Sequence, residues 1–247
     1  MGKAALEIVV GELKITESVW VPFAAALIGG ALALLGSFVA TWQADRAARR
    51  ARRDELERIR AERAYATFFK LLDAHSAAAN IRRHIDEMFE NAAQDGAADM
   101  EPWAKVMEIV GAPEQVETIH PSETTFLLGE GKADLLNDVH LVQRRIANII
   151  ASVQKYAALR AELHTILVAN MAEGELQEGT RISANFEGSA RLHVEMRASQ
   201  LNNLLGQILD ALEKDIPHCW QVLSEFKEAA AKRFGNNFPE FKIENML

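Results

Sequence analysis

The sequence predicts an all-α protein in which a single N-terminal transmembrane helix continues into a cytoplasmic antiparallel helical bundle with coiled-coil-like packing. Three observations carry that expectation: a charge-free run of 24 residues from Val19 to Trp42, an apolar repeat spaced four and three near the middle of the chain, and no segment that alternates with period two. The 247 residues are 49% hydrophobic, enough to bury a core and too much for a disordered chain. A net charge of −8 argues against a broad nucleic-acid surface, and the lone Cys219 excludes a scaffold stapled by internal disulfides.

The charge-free run is the first element. A helix of this length rises about 36 Å, more than the roughly 30 Å of a hydrocarbon core. Trp20 and Trp42 bracket it, each at a level where an indole prefers the membrane interface. No Ala-x-Ala-like cleavage site closes the run, and the arginines that follow would stop transfer, so the segment reads as a retained span rather than a signal peptide. Before it, Lys3 and Lys14 stand against Glu7, Glu12 and Glu17; after it come Arg46, Arg49, Arg50, Arg52, Arg53, Arg58, Arg60 and Arg63. This asymmetry places the N-terminus outside and the body in the cytoplasm of a cell whose inner membrane carries the span. The chain then divides into an extracytoplasmic tail at 1–18, the span at 19–42, an arginine-rich juxtamembrane helix at 43–63 and an acidic bundle at 64–247.

Within the span, Ala25, Gly29, Ala33, Gly36 and Ala40 share one helical face, a candidate surface for close approach of a second span. Beyond it, Arg46, Arg49, Arg50 and Arg53 share another. Their first role is the topological signal, with contact to anionic lipid as its consequence. Residues 43–63 hold eight Arg against five acids, whereas residues 64–247 hold 17 basic and 27 acidic side chains, so the body is expected to stand off an anionic leaflet.

Between Gly36 and Gly96 there is neither Gly nor Pro, and the spacing of Asp45 with Arg49, Asp54 with Arg58 and Arg58 with Glu62 supports a helix that runs on from the span. Its later part shows a stripe through Phe68, Leu72, His75, Ala79, Arg82, Ile85 and Phe89, flanked by Leu71, Ile81 and Met88. The strongest repeat follows at Leu135, Val139, Val142, Ile146, Ile149, Val153, Tyr156, Arg160, Leu163 and Leu167, broken only by Arg160, and predicts a helix from about Ala133 to Met171. A third long helix is expected through Val194, Ala198, Leu201, Leu205, Ile208 and Leu212. Pro217 then separates it from a fourth through Trp220, Leu223, Phe226, Ala230 and Phe234.

Two connections remain. The stretch from Gln94 to Gly131, punctuated by Gly96, Pro102, Pro113 and Pro121, is expected to hold short helices at Trp103–Val110 and Pro113–Ile119 and to cap one end of the bundle. Glu173–Ala184 reads as a solvated loop. Phe234, Phe238 and Phe241 near the C-terminus lack helical spacing and are expected to pack back on the bundle.

No catalytic residue, cofactor site or metal site is predicted. Gly129-Glu130-Gly131-Lys132 lacks the spacing and the Ser/Thr of a phosphate loop and reads as a helix-start turn. Glu117-x-x-His120 is a lone copy of a motif that a di-iron bundle needs twice, and Pro121 is expected to end its helix. His75 reads as a core or boundary histidine, while adjacent side chains such as His218 and Cys219 diverge on a helix. Helical ribonucleases of the HEPN type pair an Arg with a His across four to six intervening residues; Arg160 and His164, with three residues between them, are the nearest approach.

As a layout, one span, an arginine-rich continuation and an acidic helical body resemble a broad group of bacterial inner-membrane proteins, some of which act as membrane effectors or sensors in anti-phage systems. The expected function is a non-enzymatic interaction, oligomerisation or sensing module, with membrane lipid and either a second copy or a cytoplasmic protein as partners and no nucleic acid. A membrane-perturbing effector triggered through the bundle, and a HEPN-like ribonuclease, are the alternatives.

Overall fold

The computed structural model describes residues 17–109, 112–169 and 188–239, and every regular element among them is helical. The chain divides into two units, residues 1–56 and residues 57–247. The first helix, α1 (Glu17–Gln94), belongs to both and runs without interruption, as the Gly- and Pro-free stretch predicts.

In the first unit every residue from 22 to 56 is exposed, including Phe23, Leu27, Ile28, Leu32, Leu35, Phe38 and Trp42. One helix in the described residues is long and apolar enough to cross a membrane, and it is this one. Its two hydroxyls turn inward: Ser37 Oγ donates to the Leu34 carbonyl at 2.9 Å and Thr41 Oγ1 to the Ser37 carbonyl at 2.8 Å, which leaves little polarity on the surface.

The second unit is a bundle of three long helices: residues 57–94 of α1, α5 (Ala133–Ala169) and α6 (Gly188–Phe234), with α2 (Pro102–Lys105), α3 (Pro121–Thr124) and α4 (Phe126–Gly129) between α1 and α5. Cross-helix contacts fix their directions. Glu57 meets Arg233 at 2.8 Å and His75 meets Trp220, so α1 and α6 are antiparallel. Arg145 meets Asp215 at 3.0 Å and Glu162 meets Arg197 at 2.8 Å, so α5 and α6 are antiparallel as well. It follows that α1 and α5 run the same way, and the chain must travel back along the bundle before α5 can begin.

Packing follows the expected repeat on α5, where Leu135, Val139, Val142, Ile146, Ile149, Val153, Tyr156 and Leu163 are buried, Leu167 is half-buried and Arg160 breaks the row. On α1 the buried row is shifted from the predicted one. It runs through Ala61, Ala64, Phe68, Leu71, Ala74, Ala78, Ile81 and Ile85, while Leu72, Ala79, Arg82 and Phe89 sit at its edge. Four of its eight positions are alanines, which let the neighbouring helices come close.

α6 unites the two helices that Pro217 was expected to separate. The buried row passes through Leu205, Ile208, Leu212, Ile216, Cys219, Leu223, Phe226 and Ala230 in steps of three or four residues, and Pro217 does not interrupt it. A proline inside a helix costs about 3 kcal/mol, and burying several side chains at about 1.5–3 kcal/mol each outweighs it. Pro217 and Glu213, whose carbonyl loses its helical partner, are both exposed, so water can satisfy that carbonyl.

Two glycines make the reversals. Gly96 (φ +72°) and Gly131 (φ +69°) each follow a helix end in the left-handed region. Ala97 N–H donates to the Ala92 carbonyl and Gly96 N–H to the Ala93 carbonyl; Lys132 and Gly131 repeat the pattern on Leu127 and Leu128. The Gly129–Lys132 segment is thus the turn into α5 that the sequence predicts. Phe234 and Phe238 are buried, Phe238 edge-on to Phe68 at 6.1 Å, whereas Phe241 lies outside the described residues, as do Glu173–Ala184 and the tail before Glu17.

Candidate functional site

The connection from residue 97 to residue 132 is a strap rather than an end cap. Starting at the C-terminal end of α5, it runs antiparallel along that helix and is held at each step by a side chain of the bundle. Arg160 donates to the Trp103 carbonyl and, at 2.6 Å, to Met107 Sδ, with its guanidinium 5.9 Å from the Trp103 ring centre. Tyr156 Oη donates to the Val106 carbonyl at 2.9 Å. Further along, Gln154 donates to the Glu114 carbonyl at 2.7 Å and Gln143 to the Glu117 carbonyl at 3.0 Å. Lys70 of α1 closes the series on the Thr118 carbonyl and the Glu123 carboxylate, both at about 3 Å.

These contacts explain two departures from the expected local structure. Residues 113–119 form no helix, and the Glu114, Glu117 and Thr118 carbonyls are taken by Gln154, Gln143 and Lys70 rather than by a helical turn. Pro121 opens a helix instead of ending one: it occupies the first position of α3, with His120 and Glu123 forming a reciprocal cap. Glu117 and His120 therefore do not share a helix face. Of the expected Trp103–Val110 helix only α2 forms, and Val106, Ile109 and Ile119 bury their side chains beneath the strap.

A surface groove of about 660 Å³ lies where the strap begins, lined by Met100, Glu101, Trp103, Ala104 and the α6 residues Ala198 and Asn202, among others. Asn202 accepts from Trp103 N–H at 2.9 Å and donates to Glu101 at 3.0 Å, and the Trp103 indole donates to the same carboxylate oxygen at 2.9 Å. Glu101 and Asn202 are not singled out in the sequence, and Trp103 and Tyr156 stand out there only as helix positions; a tyrosine and an arginine at consecutive positions of an otherwise aliphatic repeat are the signal that something polar must meet them.

His75 and Cys219 are among the titratable groups of the core. His75 is buried against Trp220, ring centres 5.3 Å apart, with Nε2 unpartnered, and burial lowers its pKa from the usual 6.5. Cys219 is buried with Sγ 3.9 Å from the Leu71 carbonyl; burial first, and then the Asp215 carboxylate, push its thiol up to about 12. His218 is half-buried with an unpartnered Nδ1, and its neighbour's thiol is protonated at neutral pH. Arg160 is spent on the strap, while His164 is exposed.

In the first unit, Ala25, Gly29, Ala33, Gly36 and Ala40 are exposed on one face, and a Cβ built on Gly29 or Gly36 would meet nothing within 4 Å. Arg46, Arg49, Arg50 and Arg53 are exposed as well; the Arg46 guanidinium lies 5.3 Å from the Trp42 ring centre. The side chain of Trp20 lies outside what the structure describes. Among the described residues, no three His, Cys, Asp or Glu side chains gather as metal ligands. No protein-family model, curated protein or solved structure matches the chain.

Proposed function

We propose that the protein is a single-pass inner-membrane protein whose cytoplasmic helical bundle serves as a non-enzymatic interaction module, tethered by the segment 19–42. The observation that carries this reading is the exposure of every residue from 22 to 42, where large apolar side chains such as Leu27, Leu32 and Phe38 face outward on a helix that no described part of the bundle covers. An apolar surface that extends all round a helix needs an apolar solvent, and a bilayer supplies one. The arginines that follow favour retention of the body on the cytoplasmic side.

The bundle supports the second half of the reading. Its polar side chains at the strap hold backbone carbonyls, Cys219 is inert, and Arg160 is positioned to brace Trp103 rather than to meet a substrate phosphate. This weighs against a HEPN-like ribonuclease. Two measurements test the proposal. Carbonate-resistant membrane association, with a C-terminal green fluorescent protein that fluoresces and a C-terminal alkaline phosphatase that stays silent, is the expected result; a soluble protein or the reverse reporter pattern overturns it. The native mass of the gently extracted chain, compared with its 27.4 kDa, then separates a homo-oligomer from a monomer that retains another protein. A depolarised membrane on expression of the clustered chain would favour a membrane-perturbing effector instead.

A further inference from the structure

Charge in the segment after the span is arranged in two blocks. Residues 43–53 carry five arginines against one acid, Asp45, whereas residues 54–63 carry three arginines against four acids. Every arginine of the first block is exposed, and Arg46, Arg50, Arg52 and Arg53 make no ion pair among the described residues. Arg49 lies 3.8 Å from Asp45, with both side chains mostly in the open. The cationic block is therefore not spent on the protein.

Helix geometry aims it. Side chains on an α-helix tilt toward its N-terminus, and the N-terminal side here is the apolar segment. The lean is visible in Arg46, whose guanidinium reaches back one turn to lie over Trp42. Relative to Trp42, the α-carbons of Arg46, Arg49 and Arg50 stand about 6, 10 and 12 Å further along the axis. Headgroups occupy about 5–8 Å beyond the hydrocarbon, and an arginine stem that leans back brings its head into that layer.

We propose that the face of Arg46, Arg49, Arg50 and Arg53 is a binding surface for the phosphates of anionic phospholipids. The inference rests on the reading of residues 19–42 as a membrane span and adds selectivity to it. A guanidinium fork donates to two phosphate oxygens at once, and a lipid whose headgroup has no compensating ammonium leaves that pairing uncontested. Each arginine near an anionic surface contributes about fivefold in affinity.

The test uses the full-length chain in phosphatidylcholine vesicles that contain a trace of spin-labelled phosphatidylglycerol or spin-labelled phosphatidylcholine, with the motionally restricted fraction as readout. Phosphatidylglycerol is expected to associate at least about fivefold more strongly than phosphatidylcholine. The preference should shrink as salt rises from about 0.01 to about 1 M, where the screening length falls from about 30 to about 3 Å. It should vanish in the variant R46Q/R49Q/R50Q/R53Q. Equal restriction of both lipids by the wild-type chain, or an undiminished preference in the variant, overturns the lipid surface and leaves the span intact. No restricted lipid of either kind would remove the span and this inference with it.

Discussion

Phe38 and Phe68 lie on one uninterrupted helix, yet the first is 72% exposed and the second 1%. The segment around Phe38 is apolar on all sides, and the segment around Phe68 is apolar on one. Backbone geometry is the same in both, so the sequence pattern records the solvent: a periodic stripe asks for protein on one face, and an aperiodic apolar run asks for an apolar medium on every face. The apolar run ends at Trp42 and the buried row begins at Ala61, and the division between the two units falls between them, after Leu56. A helix of 78 residues is thus read correctly only when its two segments are read apart.

The largest expected effect separates them by identical chemistry at two positions. Phe68→Ala removes a fully buried ring that packs edge-on to Phe69 and Phe238, and should destabilise the bundle by about 3–5 kcal/mol. For a body of this size that lowers Tm by about 6–20 °C. Phe38→Ala should leave the same transition in place, because Phe38 contributes nothing to the bundle core. Thermal unfolding of the two variants in detergent checks the pair, and equal shifts would dissolve the distinction. The converse substitution is Leu35→Arg. Leu35 is exposed, so the bundle's Tm should hold, while a charge inside a span costs up to about 3 kcal/mol and should lower the carbonate-resistant fraction.

Much of this contrast is legible in the residues, and the departures have physical causes. The α5 repeat is visible because its core positions are large aliphatics. The α1 row is harder to place because Ala61, Ala64, Ala74 and Ala78 form its centre and carry little hydrophobic signal, so Leu72 and Phe89 at the edge attract the eye. Pro217 invites a helix break that is overruled by Ile216, Cys219 and Leu223, whose spacing continues across it. The strap is the least legible part. Its partners are Arg160, Tyr156, Gln154, Gln143 and Lys70, and what they hold are backbone carbonyls, which every residue possesses and no sequence distinguishes.

Tyr156→Phe asks how much one of those holds is worth. The variant keeps the ring in place and deletes the donor to the Val106 carbonyl, leaving that acceptor beneath a strap whose Val106 side chain is fully buried. A loss of about 1–3 kcal/mol is expected. Amide exchange around residues 103–109 should accelerate more than in the centre of α6, since the strap depends on the hydroxyl and α6 does not.

The smallest effect is a pH dependence confined to the bundle. His75 is buried without a partner for Nε2, and burial lowers its pKa in the folded chain below the 6.5 of the unfolded one. The folded state then binds fewer protons than the unfolded state, so stability is complete above pH 6.5 and declines as pH falls through it. One proton sets the ceiling on this slope at about 1.4 kcal/mol per pH unit. His75→Phe should flatten the part of the profile below pH 6.5 and leave the value at pH 8 comparatively unchanged. A profile of unchanged slope in the variant would take the acid sensitivity away from His75. Because the exposed segment 22–42 holds no titratable side chain, its membrane association should stay constant over the same range. The two segments of α1 would then be distinguished by pH as they are by exposure.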